Sequence, residues 1–180
     1  MAKRPFITLR ESLFLGFCAV GLAAVRIIMR LGLGITGHAM LPSVFFMLLG
    51  RGVTRKFGTA TYTGFLAGCI ISAMGGTKAA LPLLMQLCIT GFALDCLACL
   101  PPVLSSWYGG MAAGIIAAST RGLVVLVSSL MAGMDMSLSL VNACITGLAN
   151  ASFGALGGLL VPATLKRLKA YGLVKTEGED

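Results

Sequence analysis

The chain has 180 residues, of which 57% are hydrophobic and 11% charged, with a mean hydropathy of +0.95. A soluble domain carries about 25% charged residues, so this composition excludes both a soluble globular fold and a disordered chain. The net charge of +8 does not indicate nucleic-acid binding, because the basic residues flank apolar runs and form no stripe interleaved with aromatic residues.

Six apolar segments follow one another, and each is predicted to be a transmembrane helix, which needs about 20 apolar residues. They cover approximately residues 12–33, 38–52, 59–74, 79–100, 107–131 and 138–165. The fourth ends at Pro101 and Pro102, because proline cannot continue a helix. Residues 170–180 are expected to form a disordered tail. The predicted fold class is therefore an all-α integral membrane protein, a compact single-domain bundle of six transmembrane helices.

Basic residues cluster at three places that six spans put on one side of the membrane. Three precede the first segment, three lie at the junction of the second and third, and four follow the sixth: Lys3, Arg4, Arg10, Arg51, Arg55, Lys56, Lys166, Arg167, Lys169 and Lys175. Because positive charge is retained on the cytoplasmic side, both termini are predicted to be cytoplasmic. The basic C-terminal region and the lack of a targeting segment favour a multi-pass protein of a prokaryotic plasma membrane.

Polar residues that lipid disfavours recur in the fourth, fifth and sixth segments. An arginine at mid-span, such as Arg121, costs about 2.5–3.5 kcal/mol to insert, and such residues usually face the bundle interior. Others recur at four-residue spacing, which places each set on one helical face: Gln86, Thr90, Asn142, Thr146 and Asn150. In the predicted topology most of them fall in the outer half of the bundle, with Asn150 near the middle.

Two interpretations of these polar residues remain open. In one, they line an outward-facing pocket whose mouth is made electropositive by Arg26, Arg30, His38 and Lys78, which would attract an anionic or acceptor-rich ligand. In the other, they form interhelical hydrogen bonds worth about 0.6 kcal/mol each, and Arg26 and Arg30 extend to the lipid headgroups.

Enzymatic and metal chemistry is not expected. The single histidine, His38, lies at a loop edge, and the acidic residues form no pair at four-residue spacing on a helix. Asp95 is the candidate acidic partner of Arg121, but the predicted depths of the two residues differ by roughly 10 Å, so a pair would require helix tilting. Cys96 and Cys99 form a C-x-x-C pair without a second pair or histidine partner, which argues against zinc. No catalytic residue, metal or cofactor is predicted.

Small residues on the first helix and a stretch of the next two carry a resemblance to a known family. The first feature is Ala19-x3-Ala23, with Gly16 and Ser12 continuing its small-residue face. The second lies between Leu41 and Gly68 and reads Pro-x-x-Phe-Phe-Met-Leu-Leu-Gly-Arg followed by Arg-Lys-Phe-Gly-x-Ala. With its size, topology and polarity, the chain resembles the substrate-binding S components of energy-coupling factor transporters. These are small six-helix vitamin-uptake proteins with both termini cytoplasmic.

The resemblance implies capture of a vitamin or related small polar or anionic micronutrient outside the cell, with a membrane coupling protein and two ATP-binding subunits driving transport. It maps the ligand site to the outer halves of helices four to six and to the first loop: Gln86, Thr90, Arg121, Asn142, Thr146, Asn150, Arg30 and His38. The loop from Gly34 to Met40 would act as a gate. It maps the contact with the coupling protein to the small face of the first helix: Ser12, Gly16, Ala19 and Ala23. The alternatives are a structural or assembly subunit of a larger membrane complex without a ligand, or a solitary small carrier.

Overall fold

The computed structural model describes residues 8–32, 37–74, 80–100 and 106–171, and the regular structure within them is helical. The described helices are α1 (Leu9–Gly32), α2 (Met40–Thr54), α3 (Thr59–Ala73), α4 (Ala80–Leu97), α5 (Trp107–Met131) and α6 (Met136–Ala170). Each of the six predicted segments therefore corresponds to a helix. Ala170, the first residue of the predicted tail, belongs to α6, and residues 172–180 lie outside the described part of the chain.

Three of these helices, α1, α5 and α6, are long and apolar enough to cross a membrane. The apolar helices α2, α3 and α4 are shorter. A helix of 15 residues, the length of α2 and of α3, is about 22 Å long at 1.5 Å per residue, whereas the hydrocarbon core is about 30 Å thick. Length and composition thus establish three candidate spans among the described residues, which is fewer than the sequence predicts.

The closest helix packing in the molecule joins α5 to α6, which run antiparallel. A methyl group added to Gly114 would collide with the carbonyl of Gly154, and one added to Gly110 would collide with the carbonyl of Gly158. Small residues allow helix backbones to approach this closely, and close packing is what holds helices together in lipid. Pro162 lies one turn beyond Gly158 in α6 and has no N–H. The Gly158 carbonyl therefore lacks the hydrogen bond that an α-helix would otherwise give it from residue 162. This glycine seam makes α5 and α6 one rigid hairpin.

Four chain segments meet at one end of the bundle, which we term the basic end. Lys56, in the turn between α2 and α3, forms a 2.7 Å salt bridge with Glu11 at the start of α1. Asp95, near the end of α4, accepts hydrogen bonds from the first turn of α3. Leu165, near the end of α6, packs against Gly52 of α2. The start of the first helix and the end of the last one therefore lie at the same end of the bundle.

Asp95 is the most highly coordinated side chain at the basic end. Its carboxylate accepts the backbone N–H groups of Ala60 and Thr61 at 3.2 and 2.9 Å and the Thr61 hydroxyl at 2.8 Å. The Nε atom of Arg51 lies 3.5 Å from the same carboxylate, and both side chains are buried. A negative charge at a helix N-terminus is stabilised by the free N–H groups and by the helix dipole. Asp95 therefore pairs with Arg51. The pairing of Asp95 with Arg121, which the sequence left open, is wrong.

We predict that Asp95→Asn destabilises the fold by about 3–5 kcal/mol, because it leaves the buried Arg51 cation without its counter-charge. The measurement is the free energy of unfolding of the purified protein in detergent micelles. The control is Glu11→Gln, which removes the other acid at the basic end from a partly exposed pair and should cost less than about 1 kcal/mol. Equal losses in the two variants would contradict the assignment.

We predict that Gly114→Ala destabilises the protein by about 1–3 kcal/mol, because the new methyl forces α5 and α6 apart. Gly16→Ala is the matched control, since a methyl at Gly16 of α1 meets nothing within 4 Å. Alanine is the better helix former, so the control should be neutral or slightly stabilising. Thermal unfolding of the two variants side by side tests the seam. A Gly114 variant as stable as the control would show that the seam is not tight.

Candidate functional site

The first polar contact of the candidate site joins α4 to α5. The hydroxyl of Thr90 donates to the backbone carbonyl of Gln86, 2.8 Å away and one turn earlier in α4. The same hydroxyl lies 3.3 Å from the hydroxyl of Thr120 on α5. A threonine whose hydroxyl donates to its own helix backbone has no unbonded donor in an apolar interior. Its hydroxyl oxygen can still accept a hydrogen bond from a neighbour. Thr90 therefore faces α5, and Thr120, which sequence reasoning missed, completes the contact.

The second polar contact joins α5 to α6 through Arg121, which follows Thr120 directly. Its Nη1 atom donates to the side-chain oxygen of Asn150 at 3.4 Å. The amide nitrogen of Asn150 donates in turn to the backbone carbonyl of Thr146, one turn back in α6. Asn150 is fully buried and Arg121 is half-buried. The guanidinium is therefore turned towards the bundle, as expected of a charged residue in an apolar helix.

The polar stripe predicted on α6 holds for two of its three members. Asn150 is buried and Thr146 half-buried, but Asn142 is exposed. Four residues advance a helix by about 40° more than one full turn, so eight residues displace Asn142 by roughly 80° from Asn150. Ser139, eleven residues from Asn150, returns to within about 20° of it and is fully buried. The inward polar face of α6 therefore runs through Ser139 and Asn150, and the assignment of Asn142 to the site is wrong.

Buried polar atoms without a hydrogen-bond partner occur beside Asp95 and also in the half of the bundle away from the basic end. Among the described residues there are three such atoms in this half: Ser72 Oγ, Gln86 Nε2 and Ser139 Oγ. Ser72 is in the last turn of α3, Gln86 in the first half of α4, and Ser139 in the first turn of α6. The other buried atoms of this kind, Nε and Nη1 of Arg51, lie beside the Asp95 carboxylate. An unbonded buried donor costs about 1–3 kcal/mol, so each calls for an explanation.

The predicted gate is described only from Gly37 onwards, since residues 33–36 and the side chain of Arg30 lie outside the described part of the chain. Gly37 has a φ of +100° and is buried against the backbone of Ala149 on α6. His38 follows it, half-buried, in the turn that leads into α2. This turn therefore rests on α6 one residue before Asn150, which brings the first loop to the candidate site.

Arg26 of α1 is turned inward. Its Nη1 atom donates to the hydroxyl of Ser43 on α2 at 3.3 Å, and that hydroxyl donates to the carbonyl of Ala39 at 2.8 Å. Arg26 is 8% exposed, so the alternative in which its charge extends to the lipid headgroups is wrong.

The small-residue face of α1 is not where the resemblance would place a partner. Ala19 and Ala23 are 0% and 2% exposed and pack into the hydrophobic core of this chain. Ser12 and Gly16 are half-buried at the edge of that face. Small residues at four-residue spacing favour close packing with any helix, and here the neighbours are α2 and α3 of the same chain. The assignment of Ala19 and Ala23 to an exposed coupling surface is therefore wrong.

Two clefts of about 530 and 540 Å³ lie on the outward side of the α5–α6 hairpin. The first is at the start of α5 and is lined by Ser106, Trp107, Tyr108, Met111 and Leu159. The second is half-way along and is lined by Ile115, Ser119, Cys144, Ile145, Gly147, Leu148 and Ala151. Neither is lined by Gln86, Thr90, Arg121 or Asn150, so the polar residues of the site lie on the inner side of the hairpin.

No family model, curated protein or solved structure matches the chain.

We predict that Gly37→Ala destabilises the protein more than Gly58→Ala does. Both glycines have positive φ, +100° and +88°, which costs a residue with a Cβ about 1–2 kcal/mol. A methyl at Gly58 meets nothing within 4 Å, whereas one at Gly37 lies 3.0 Å from the Ala149 backbone. The difference between the two free energies of unfolding therefore measures the contact of the first loop with α6. Equal values would show that this contact is absent.

Proposed function

We propose that this chain is the substrate-capture subunit of an energy-coupling-factor-type uptake transporter in a prokaryotic plasma membrane. In this proposal it binds a vitamin or related small anionic micronutrient among α4, α5 and α6. A membrane coupling protein and two ATP-binding subunits complete the transporter.

The observation that carries the proposal is the incomplete bonding of Arg121. A guanidinium offers five N–H donors, and within the described residues Arg121 makes one hydrogen bond, to the neutral amide of Asn150. The acid that could have balanced it, Asp95, is occupied by Arg51 and by the first turn of α3. A half-buried cation without a carboxylate partner in an apolar bundle is suited to an anionic ligand, for which a bidentate contact is the strongest option.

Further support comes from the unbonded polar atoms in the same half of the bundle. Gln86 Nε2 is a buried donor on the helix that carries Thr90, and Ser139 Oγ is buried on the face that carries Asn150. A ligand rich in hydrogen-bond acceptors could bond Gln86, and one with a hydroxyl or amide could bond Ser139. The unbonded atoms thus favour a polar ligand over an apolar one.

The proposal includes six membrane spans with both termini cytoplasmic. It is supported by the meeting of the α1 start and the α6 end at the basic end, which an even number of spans requires. The short helices α2, α3 and α4 would be accommodated by local bilayer thinning or by flanking residues that extend to the headgroups. The coupling protein would contact the outward side of α1, where Leu13 and Phe17 are 68% and 75% exposed.

A second candidate is a structural or assembly subunit without a ligand. It is favoured by the contact between the Thr90 and Thr120 hydroxyls and by the Arg121–Asn150 hydrogen bond, which already link α4, α5 and α6. In that case the polar residues stabilise the bundle and Arg121 is part of the packing.

The two candidates are separated by Arg121→Ala. We expect the variant to fold normally but to retain at least about tenfold less of the small molecule that co-purifies with the wild-type protein, since a charge-assisted hydrogen bond is worth about 1.5–3 kcal/mol. The measurement is mass spectrometry of the compounds released from equal amounts of protein extracted from native membranes. Arg10→Ala, which removes an exposed charge at the start of α1, is the control and should retain the compound.

Thermal unfolding of the same preparations tests whether Arg121 instead has a structural role. If Arg121→Ala lowers the unfolding temperature strongly and the wild-type protein carries no small molecule, the assembly role is the correct one. Co-purification of a membrane subunit with ATP-binding subunits supports the transporter role, and co-purification with an unrelated enzyme complex contradicts it.

A further inference from the structure

The cleft at the start of α5 has an aromatic rim. Trp107 and Tyr108 are 51% and 83% exposed, and with Met111 they face Leu159 across the α5–α6 groove. Tryptophan and tyrosine with exposed rings are typical of the boundary between hydrocarbon and headgroups, where an apolar ring with a polar atom fits best. The depth of the cleft along the hairpin therefore matches the boundary region of a leaflet.

Helix α6 extends past this cleft and carries positive charge beyond it. Because Gly110 lies against Gly158 in the antiparallel seam, Trp107 is level with Val161. The last residues of α6, up to Ala170, therefore reach about 14 Å beyond the start of α5. Lys166 is seven residues, nearly two turns, after Leu159, so both lie on the same face of α6. The cleft and Lys166 are consecutive along one stripe of the hairpin.

The positive charge of this stretch is not balanced by the described acids at the basic end. Lys166, Arg167 and Lys169 are exposed. Of the described carboxylates at this end, Glu11 is paired with Lys56 and Asp95 with Arg51. Three cations next to an apolar cleft at headgroup depth favour a molecule with a negative head and an apolar chain.

We propose that this cleft and the adjoining basic turns of α6 form a binding site for an anionic phospholipid. One acyl chain lies in the groove between Trp107, Met111 and Leu159, and the headgroup phosphate lies by Lys166, with Lys169 nearby. The charge and the apolar groove together select an anionic lipid over a zwitterionic one, whose head carries no net charge. The site is separate from Arg121 and does not depend on the proposed uptake function.

The experiment uses Trp107, the one tryptophan in the chain, as the reporter. The full-length protein is reconstituted in phosphatidylcholine vesicles with increasing fractions of phosphatidylglycerol brominated on its acyl chains, and tryptophan quenching is recorded. A matched series contains brominated phosphatidylcholine. We expect half-maximal quenching at a several-fold lower fraction of the anionic lipid. Lys166→Gln should raise that fraction about fivefold, the effect of one lysine close to a charged lipid surface.

The control variant is Arg10→Gln, which removes one exposed charge at the same end from α1, a helix that packs against α2 and α3. It should leave the quenching curve unchanged. Equal quenching by the two brominated lipids, or equal shifts in the two variants, would overturn the proposal. Relief of quenching by glycerol phosphate in the buffer would also overturn it, because the site would then recognise a soluble anion. Loss of ligand retention in Arg121→Ala is a separate measurement and leaves this result unaffected.

Discussion

The buried carboxylate of Asp95 is the constraint on which the arrangement of the shorter helices depends. An ionised carboxylate in an apolar interior is stable only if its lone pairs are occupied by donors and its charge is balanced. Here the donors come from the first turn of α3 and the balancing charge comes from Arg51 of α2, while Asp95 itself belongs to α4. One side chain thus links the three shorter helices α2, α3 and α4 to one another. With α3 fixed on one side of α4, Thr90 is left to face α5 on the other.

The sequence was sufficient to predict the six described helices, most of their bounds and the inward orientation of Arg121, because these follow from apolar length and from the cost of charge in lipid. It could not reveal the Asp95–Arg51 pair. Arg51 lies near a helix end, where a basic residue can either contact lipid headgroups or be buried. Which of the two occurs depends on the helices that pack next to it. The same ambiguity applies to Ala19 and Ala23, since a small residue fits a neighbour in the same chain or in another. The offset of about 80° between Asn142 and Asn150, by contrast, follows from helical arithmetic.

The buried polar groups in the two halves of the bundle have different bonding partners. At the basic end, both described acids have cationic partners within the chain. In the other half, Gln86, Ser139 and Ser72 carry unbonded buried atoms, and Arg121 has an amide as its partner where a carboxylate would be stronger. Native structures leave few buried donors unbonded, and departures from local consistency are concentrated at functional sites. The unbonded atoms of Arg51 lie beside a carboxylate that balances their charge, whereas Gln86, Ser139 and Ser72 have no such neighbour among the described contacts, so a polar molecule bound in their half would satisfy them.

The glycine seam decides on which side of the α5–α6 hairpin a small molecule could bind. Where Gly114 meets Gly154, the two backbones are too close for even a methyl group, so no ligand fits between these helices over that stretch. The outward side presents clefts with mainly apolar linings, which suit acyl chains. In the proposed capture role, a polar ligand would approach Arg121 from the side of α4, where Thr120, the preceding residue, contacts Thr90. In that role, the turn at Gly37, which lies against Ala149 of α6 next to Asn150, would cover the approach.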